Sequence, residues 1–349
     1  MVSRFTAVVI SVLASGVVHG RGASPYLPLN QSPEFERLVE RVMILADEPI
    51  ITRPIAAAAV LDALPAACEL DAALCAQVRR YLSGYMQTAG ISHASLAVAA
   101  TSTERTALPN RHGMPADSGF EASIMAYWQP GDYVLISGGV LAYEDEAVPT
   151  GSVVSIGTEY AQLDIGYRDH WMSPMTDSAM LQSTQMQTMP SVTLSNYTPL
   201  TRWGLRYELF IAEMSESDRI RFEGGFTSGN PRLAGFHVSF QPFAGWSIGF
   251  NRLIQYGGGE RPDSFGDLWD AFVDPSGKDN VSDGFGNQAA SITSRLIIPA
   301  ATPFSVYFEY AGEDTSKSSN FHLGNAALSG GVYFPTLWQR FDLTVEISE

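Results

Sequence analysis

From about residue 150 to the final residue this chain alternates apolar and polar side chains, and many of the polar positions carry charge. Phe341-Asp342-Leu343-Thr344-Val345-Glu346-Ile347-Ser348 does so without a break. So do Ala161-Gln162-Leu163-Asp164-Ile165-Gly166-Tyr167-Arg168 and Arg219-Ile220-Arg221-Phe222-Glu223. A period of two makes strands with one apolar and one polar face. A soluble sandwich packs the apolar faces together and turns its charges outward. A membrane β-barrel turns the apolar face to lipid and the polar face to a wet lumen. Alternation fits both, so the choice rests on the rest of the chain.

Residues 1–20 read as a secretory leader. Arg4 gives the positive start, Phe5 to Val18 is uncharged and largely apolar, and Val18-His19-Gly20 offers small residues where cleavage is set, so the cut is expected after Gly20. The run is shorter than the ~18–20 residues of a spanning helix. The best later candidate, Ile55 to Cys68, is interrupted by Asp62 and Pro65. An exported chain with two-faced strands and no spanning helix is expected in the outer membrane of a bacterium with two membranes. Mean hydropathy near zero fits strands that are half wet. A net charge of −16 argues against nucleic acid as a partner, since that binding needs a basic footprint. Cys68 and Cys75 are the two cysteines. In an oxidising periplasm they are expected to form a disulfide across a helix junction; with no histidine nearby they would leave zinc under-coordinated. No metal and no other cofactor is expected.

Residues 21–90 make an expected periplasmic α-helical domain. Ser32-Pro33-Glu34 supplies a cap, a first-turn proline and an early acid, followed by Phe35, Leu38, Val39, Val42 and Leu45 at helical spacing. A second helix, Ile55 to Leu64, is expected to stop at Pro65, and Asp71 caps a third over 72–86. Residues 91–349 are mainly β, with strands expected at 93–101, 119–128, 132–143, 151–168, 190–196, 203–213, 219–229, 233–240, 246–256, 289–298, 303–311, 323–334 and 337–347. If the first strand runs outward, the short turns at 129–131, 214–218, 241–245, 299–303 and 335–336 are periplasmic. The long connections 102–118, 257–288 and 312–322 are then outer loops. The segment 169–189 falls on the periplasmic side in this scheme and reads as chain tucked inward, against the lumen or the helices. About thirteen strands is an odd number, and a barrel that starts and ends in the periplasm needs an even one. The antiparallel barrel is therefore expected to be incomplete at the C-terminus.

Several stretches carry a resemblance. Ser24-Pro25-Tyr26-Leu27-Pro28-Leu29-Asn30, Thr52-Arg53-Pro54-Ile55 and Leu64-Pro65-Ala66-Ala67-Cys68 lie among the helices. Leu163-Asp164-Ile165-Gly166-Tyr167-Arg168-Asp169-His170-Trp171, Met189-Pro190-Ser191-Val192-Thr193-Leu194-Ser195-Asn196 and Phe285-Gly286-Asn287-Gln288 lie among the strands. Together they resemble the Wzi family of capsule-assembly proteins. The resemblance implies an outer-membrane barrel of about eighteen strands with a periplasmic helical bundle. It also implies a non-enzymatic, lectin-like role in holding capsular or exopolysaccharide at the cell surface, with polysaccharide export machinery as a further partner.

For sugar contact the richest stretch is 257–288. It carries Phe265, Trp269 and Phe272 among Asp263, Asp267, Asp270, Asn280 and Asn287. Aromatic rings pack on the apolar faces of sugars, and carboxylates and amides bond the hydroxyl rims. A solvated loop folding back as a plug is the plainer reading. Calcium on Asp279 to Asp283 is a third, although the spacing matches no EF-hand loop. His170 sits in Asp169-His170-Trp171, where packing is the expected role. His237 and Ser239 share a strand face and could form a nucleophile pair, with no orienting acid identified. The inward charges Arg206, Glu208, Arg219, Arg221, Glu223, Glu309, Asp342 and Glu346 mix both signs, which favours cross-lumen ion pairs over an open pore. A channel for small solutes and an outer-membrane hydrolase are the competing functions.

Overall fold

The computed structural model describes residues 22–102, 108–109, 115–144, 146–184, 186–273, 284–315, 323–338 and 340–349. The expected leader, Asn280 and the 279–283 stretch lie outside these residues. Three helices come first: α1 (Pro33–Leu45), α2 (Ala57–Leu70) and α3 (Ala72–Leu82). The Ser32 hydroxyl accepts from Phe35 N at 3.3 Å and Asp71 accepts from Leu74 N at 2.9 Å, so both caps are where the sequence places them. Pro65 does not stop α2, which runs through it to Leu70. Pro65 lies on the exposed face, where water can satisfy the carbonyl that a proline leaves without its helical partner. Val42, Val60, Ala67, Val78 and Leu82 form the bundle core, and the Cys68–Cys75 disulfide clips the α2–α3 junction.

The strands follow: β1 (Ala89–Val98), β2 (Phe120–Gly131), β3 (Val134–Ala142), β4 (Val153–Thr158), β5 (Ala161–Tyr167), β6 (Pro190–Ser195) and β7 (Arg206–Glu213). Then come β8 (Ser217–Phe222), β9 (Gly225–Gly229), β10 (Arg232–Phe243), β11 (Trp246–Tyr256), β12 (Gly286–Ile298), β13 (Phe304–Thr315), β14 (Leu323–Leu337) and β15 (Phe341–Ser348). A 14-stranded antiparallel sheet takes all of these except β8 and β9, in chain order from β1 to β15, with Ala147–Val148 as a side branch on β3. Two expectations are corrected. The run 151–168 is two strands, β4 and β5, reversing between Thr158 and Ala161. The run 219–229 is no wall strand but the separate hairpin β8–β9, turning at Glu223 and Gly224, both with positive φ.

These corrections cancel in the strand count but reverse the chain between them. The segment 169–189 therefore starts and ends at the mouth distal to the helices, as does 214–218. The helix-proximal end is marked by Ala23 N bonding Asp132 O (2.7 Å) and Gly245 N bonding Asp47 O (3.1 Å). Outward positions carry Val154, Ile165, Val192, Leu209, Val238, Phe250, Ile292, Phe308 and Val345, all exposed. A sandwich would bury that face, so the apolar alternation belongs to a barrel-type wall.

Candidate functional site

Inside the wall the polar faces are packed. Arg168 donates to Asp164 (2.8 Å), Ser195 (3.1 Å) and Glu208 (2.5 Å), with its guanidinium 4.3 Å from the Tyr26 ring centroid. His170 Nδ1 meets Glu208 at 2.7 Å while its ring stacks on Phe210, so its role in the structure is packing. Arg295, on β12, reaches Glu40 of α1 at 2.7 Å, and Arg53 also pairs with Glu40. Burial raises the Glu40 carboxyl, but the two arginines outweigh it and hold the group below its ordinary value.

The segment 169–189 crosses this interior. Trp171 exchanges both backbone hydrogen bonds with Arg53 at 2.9 Å. Ser173 donates to Glu309 (2.6 Å) and Thr176 N to Glu346 (2.9 Å). The chain is thus tucked against both lumen and helices, as expected. Of the expected inward charges, Arg206, Glu208, Glu309, Asp342 and Glu346 are engaged with groups of the helical region, the crossing segment or neighbouring strands, including Glu48 for Arg206 and the more exposed Arg37 for Asp342. Arg219, Arg221 and Glu223 are not lumen residues, because they sit on the β8–β9 hairpin.

His237 Nε2 lies 3.0 Å from Ser239 Oγ, and Nδ1 lies 2.5 Å from Asn251 Oδ1. Asn251 is thus the orienting group that sequence reasoning did not supply. The order of contacts is that of a serine nucleophile with its base. All three are buried, and the space beside them is about 70 Å³.

At the mouth distal to the helices is a cavity of about 680 Å³. Its walls carry Gln255, Asn287, Glu313 and Asn325, and its apolar lining is Leu233, Leu253, Met180, Leu181, Met186 and Met214. Met180, Leu181 and Met186 come from the crossing segment, so the interior packing also floors the cavity.

The residues expected to contact sugar part company here. Asn287, opposite Gln255 in the β11–β12 register, lines the cavity. Phe265, Asp267, Trp269, Asp270 and Phe272 do not. They form a helix, α4 (Phe265–Val273), which corrects the reading of 257–288 as one loop. Ser264 accepts from Asp267 N (3.2 Å) and donates to its carboxylate (2.5 Å). That reciprocal cap was legible as Ser264-Phe265-Gly266-Asp267 before an apolar run. Leu268 and Ala271 of α4 pack on Ala234, Ile254 and Tyr256, which point outward, so the helix lies on the outside of the wall. Asp263, ahead of it, pairs with Arg232 at 3.1 Å.

A sequence model for capsule assembly protein Wzi matches residues 89–349, from the first residue of β1 to the end of β15. This chain belongs to the Wzi family. A Klebsiella pneumoniae relative, described as an uncharacterized 55.8 kDa protein in the cps region, is 26% identical over 251 residues. That match covers 64% of this chain and 46% of the relative, so the chain spans about half the length of that protein. Among solved structures, Escherichia coli Wzi superposes with a TM-score of 0.64 at 16% identity, covering 90% of this chain and 68% of the other. That protein is described as an outer membrane protein involved in group 1 capsule assembly and a carbohydrate-binding β-barrel. At this identity the likeness establishes the fold: the wall, with the helices beside it, is that of a Wzi barrel.

Proposed function

We propose that this protein holds capsular or exopolysaccharide at the surface of the outer membrane, without catalysis, with the helices in the periplasm and the mouth facing outward. The observation that carries this is the cavity at the mouth. Its volume is in the range of small-ligand sites, its lining pairs an apolar floor with amide and carboxylate groups, and that floor belongs to the segment that bonds Glu309 and Glu346 across the interior. Such a cup can retain a sugar segment. Gln255, Asn287, Glu313 and Asn325 suit hydroxyl rims, and the methionine and leucine floor suits the apolar ring faces. The capsule-assembly family match and the carbohydrate-binding description of Escherichia coli Wzi support the same reading.

A glycan array probed with the full-length polypeptide in detergent tests this reading. Selective binding of acidic or neutral polysaccharides, weakened by Asn287→Ala together with Glu313→Ala, is expected; no binding at any glycan would sink it. Stepwise conductance in planar bilayers would favour a channel instead. The His237–Ser239–Asn251 contacts favour hydrolysis as a second reading, which requires an esterase signal that Ser239→Ala abolishes. The small space beside them counts against that reading.

A further inference from the structure

We infer that α4 is a lipid-seated helix: its exposed Phe265, Trp269 and Val273 insert among the acyl chains of the leaflet on the mouth side. The inference rests on the membrane placement proposed above and adds a binding surface to it.

The positions on α4 divide its circumference into three. Leu268 and Ala271 are buried on the wall. Phe265, Trp269 and Val273, spaced four apart on one side, are 59%, 55% and 60% exposed. Asp267 and Asp270 occupy the remaining side. The wall contacts set which way each side points. Phe272 packs against Phe236 in a tilted contact with ring centroids 4.6 Å apart, and Trp269 lies 6.0 Å from Phe272. Phe236 stands one outward position farther from the mouth than Ala234. The aromatic side of α4 therefore faces down the wall, toward the exposed band of Val238, Phe250 and Ile292, and the acidic side faces the rim. A helix lying across a membrane interface has this division, apolar toward the chains and charged toward the headgroups.

A second observation concerns Arg252. It occupies an outward position, in register with Phe236 on one side and Ala290 on the other. An arginine facing lipid is costly at depth. Here its guanidinium donates to the carbonyls of Ala271 (2.9 Å) and Phe272 (2.7 Å), and it also bonds Gln288. These are last-turn carbonyls of α4, which a cation suits. Arg252 thereby pins α4 to the lipid-facing surface, and α4 shields Arg252 from lipid. This arrangement has a purpose on a membrane-facing wall and little on one facing water.

The test uses the full-length polypeptide with Cys68–Cys75 oxidised and single cysteines at 265, 269, 273 and 270, each carrying an environment-sensitive fluorophore. The protein is reconstituted in phosphatidylcholine vesicles with doxyl-labelled chains, and a label at Phe308 serves as the wall control. Loss of fluorescence to doxyl lipid at 265, 269 and 273, with 270 quenched by aqueous iodide, is the expected result. If 308 is quenched by lipid but 265, 269 and 273 respond only to iodide, α4 faces water and the inference is overturned while the barrel reading stands. Protection of those three from both quenchers would mean that protein covers the helix, which also overturns it. Failure of lipid quenching at 308 would bring down the membrane placement and the inference with it.

Discussion

Arg295 on the wall strand β12 and Glu40 on helix α1 stand 2.7 Å apart with both side chains almost wholly removed from water. Residues 255 positions apart in the chain thus lock the helical bundle to the barrel. Arg53 approaches the same carboxylate, so one acid serves two cations.

Removing one side of that arrangement leaves an uncompensated buried charge. Arg295→Met is expected to destabilise docking of the bundle by about 3–5 kcal/mol, and Glu40→Leu by more, since it strands both arginines. The double variant Glu40→Leu/Arg295→Met should recover part of the loss. Limited proteolysis of the helical region in denaturant, at full length, reads all three. Equal behaviour of wild type and Arg295→Met would show that the pair does not hold the domains.

The same group sets an acid sensitivity. Glu40 is depressed in the folded state, so its contribution is fully present above its ordinary value of 4.5 and is lost as pH falls through the lower folded value. Bundle release on acidification in that window is expected, and Glu40→Gln should flatten the dependence. Release that begins near neutral pH, or is unchanged in Glu40→Gln, would assign it to other groups.

The wall makes a third expectation. Phe308→Arg and Phe250→Arg should each cost about 2–4 kcal/mol near the bilayer midplane, against a small effect for Phe308→Leu, read from urea unfolding in vesicles. A charge tolerated at both positions would argue that this face is not in lipid.

The disulfide gives a fourth. Cys68 and Cys75 should resist thiol labelling until reduced, and Cys68→Ser should loosen the α2–α3 junction by about 2–3 kcal/mol, as expected for a short closed loop. Strand content by circular dichroism should stay unchanged, since the clip touches only the bundle. Ready labelling before reduction would remove the disulfide from the account.

Strand identity was legible because period two is local. What the residues do not announce is where a strand reverses. Between Thr158 and Ala161 the central residues are Glu159 and Tyr160, neither glycine nor asparagine, and alternation continues across the turn. At 223–225, Glu-Gly-Gly did announce a reversal, but β8 and β9 read as wall strand because their alternation matches the wall. By strand parity Ser305 falls on the inward face. In the structure it accepts from Arg295 at 2.9 Å and is fully buried, which only a partner on another strand could reveal. For the mouth cavity, Asn287 could be found from sequence. Gln255, Glu313 and Asn325 could not, since their convergence depends on register between strands. The aromatic-rich stretch was correctly marked as unusual. Which side of the wall it lands on is a matter of tertiary packing.

The segment crossing the interior leaves the wall at Tyr167 and rejoins it at Pro190, and these two residues are paired neighbours on β5 and β6. From that single base it bonds Asn251 on β11 through Met172, Glu309 on β13 through Ser173, and Glu346 on β15 through Thr176. It is therefore a cross-brace, anchored on well-separated parts of the wall, and it resists flattening of the cross-section. A cup braced in this way keeps a fixed outline at the mouth, so under the proposed function each repeat of a bound polysaccharide would meet the same contour.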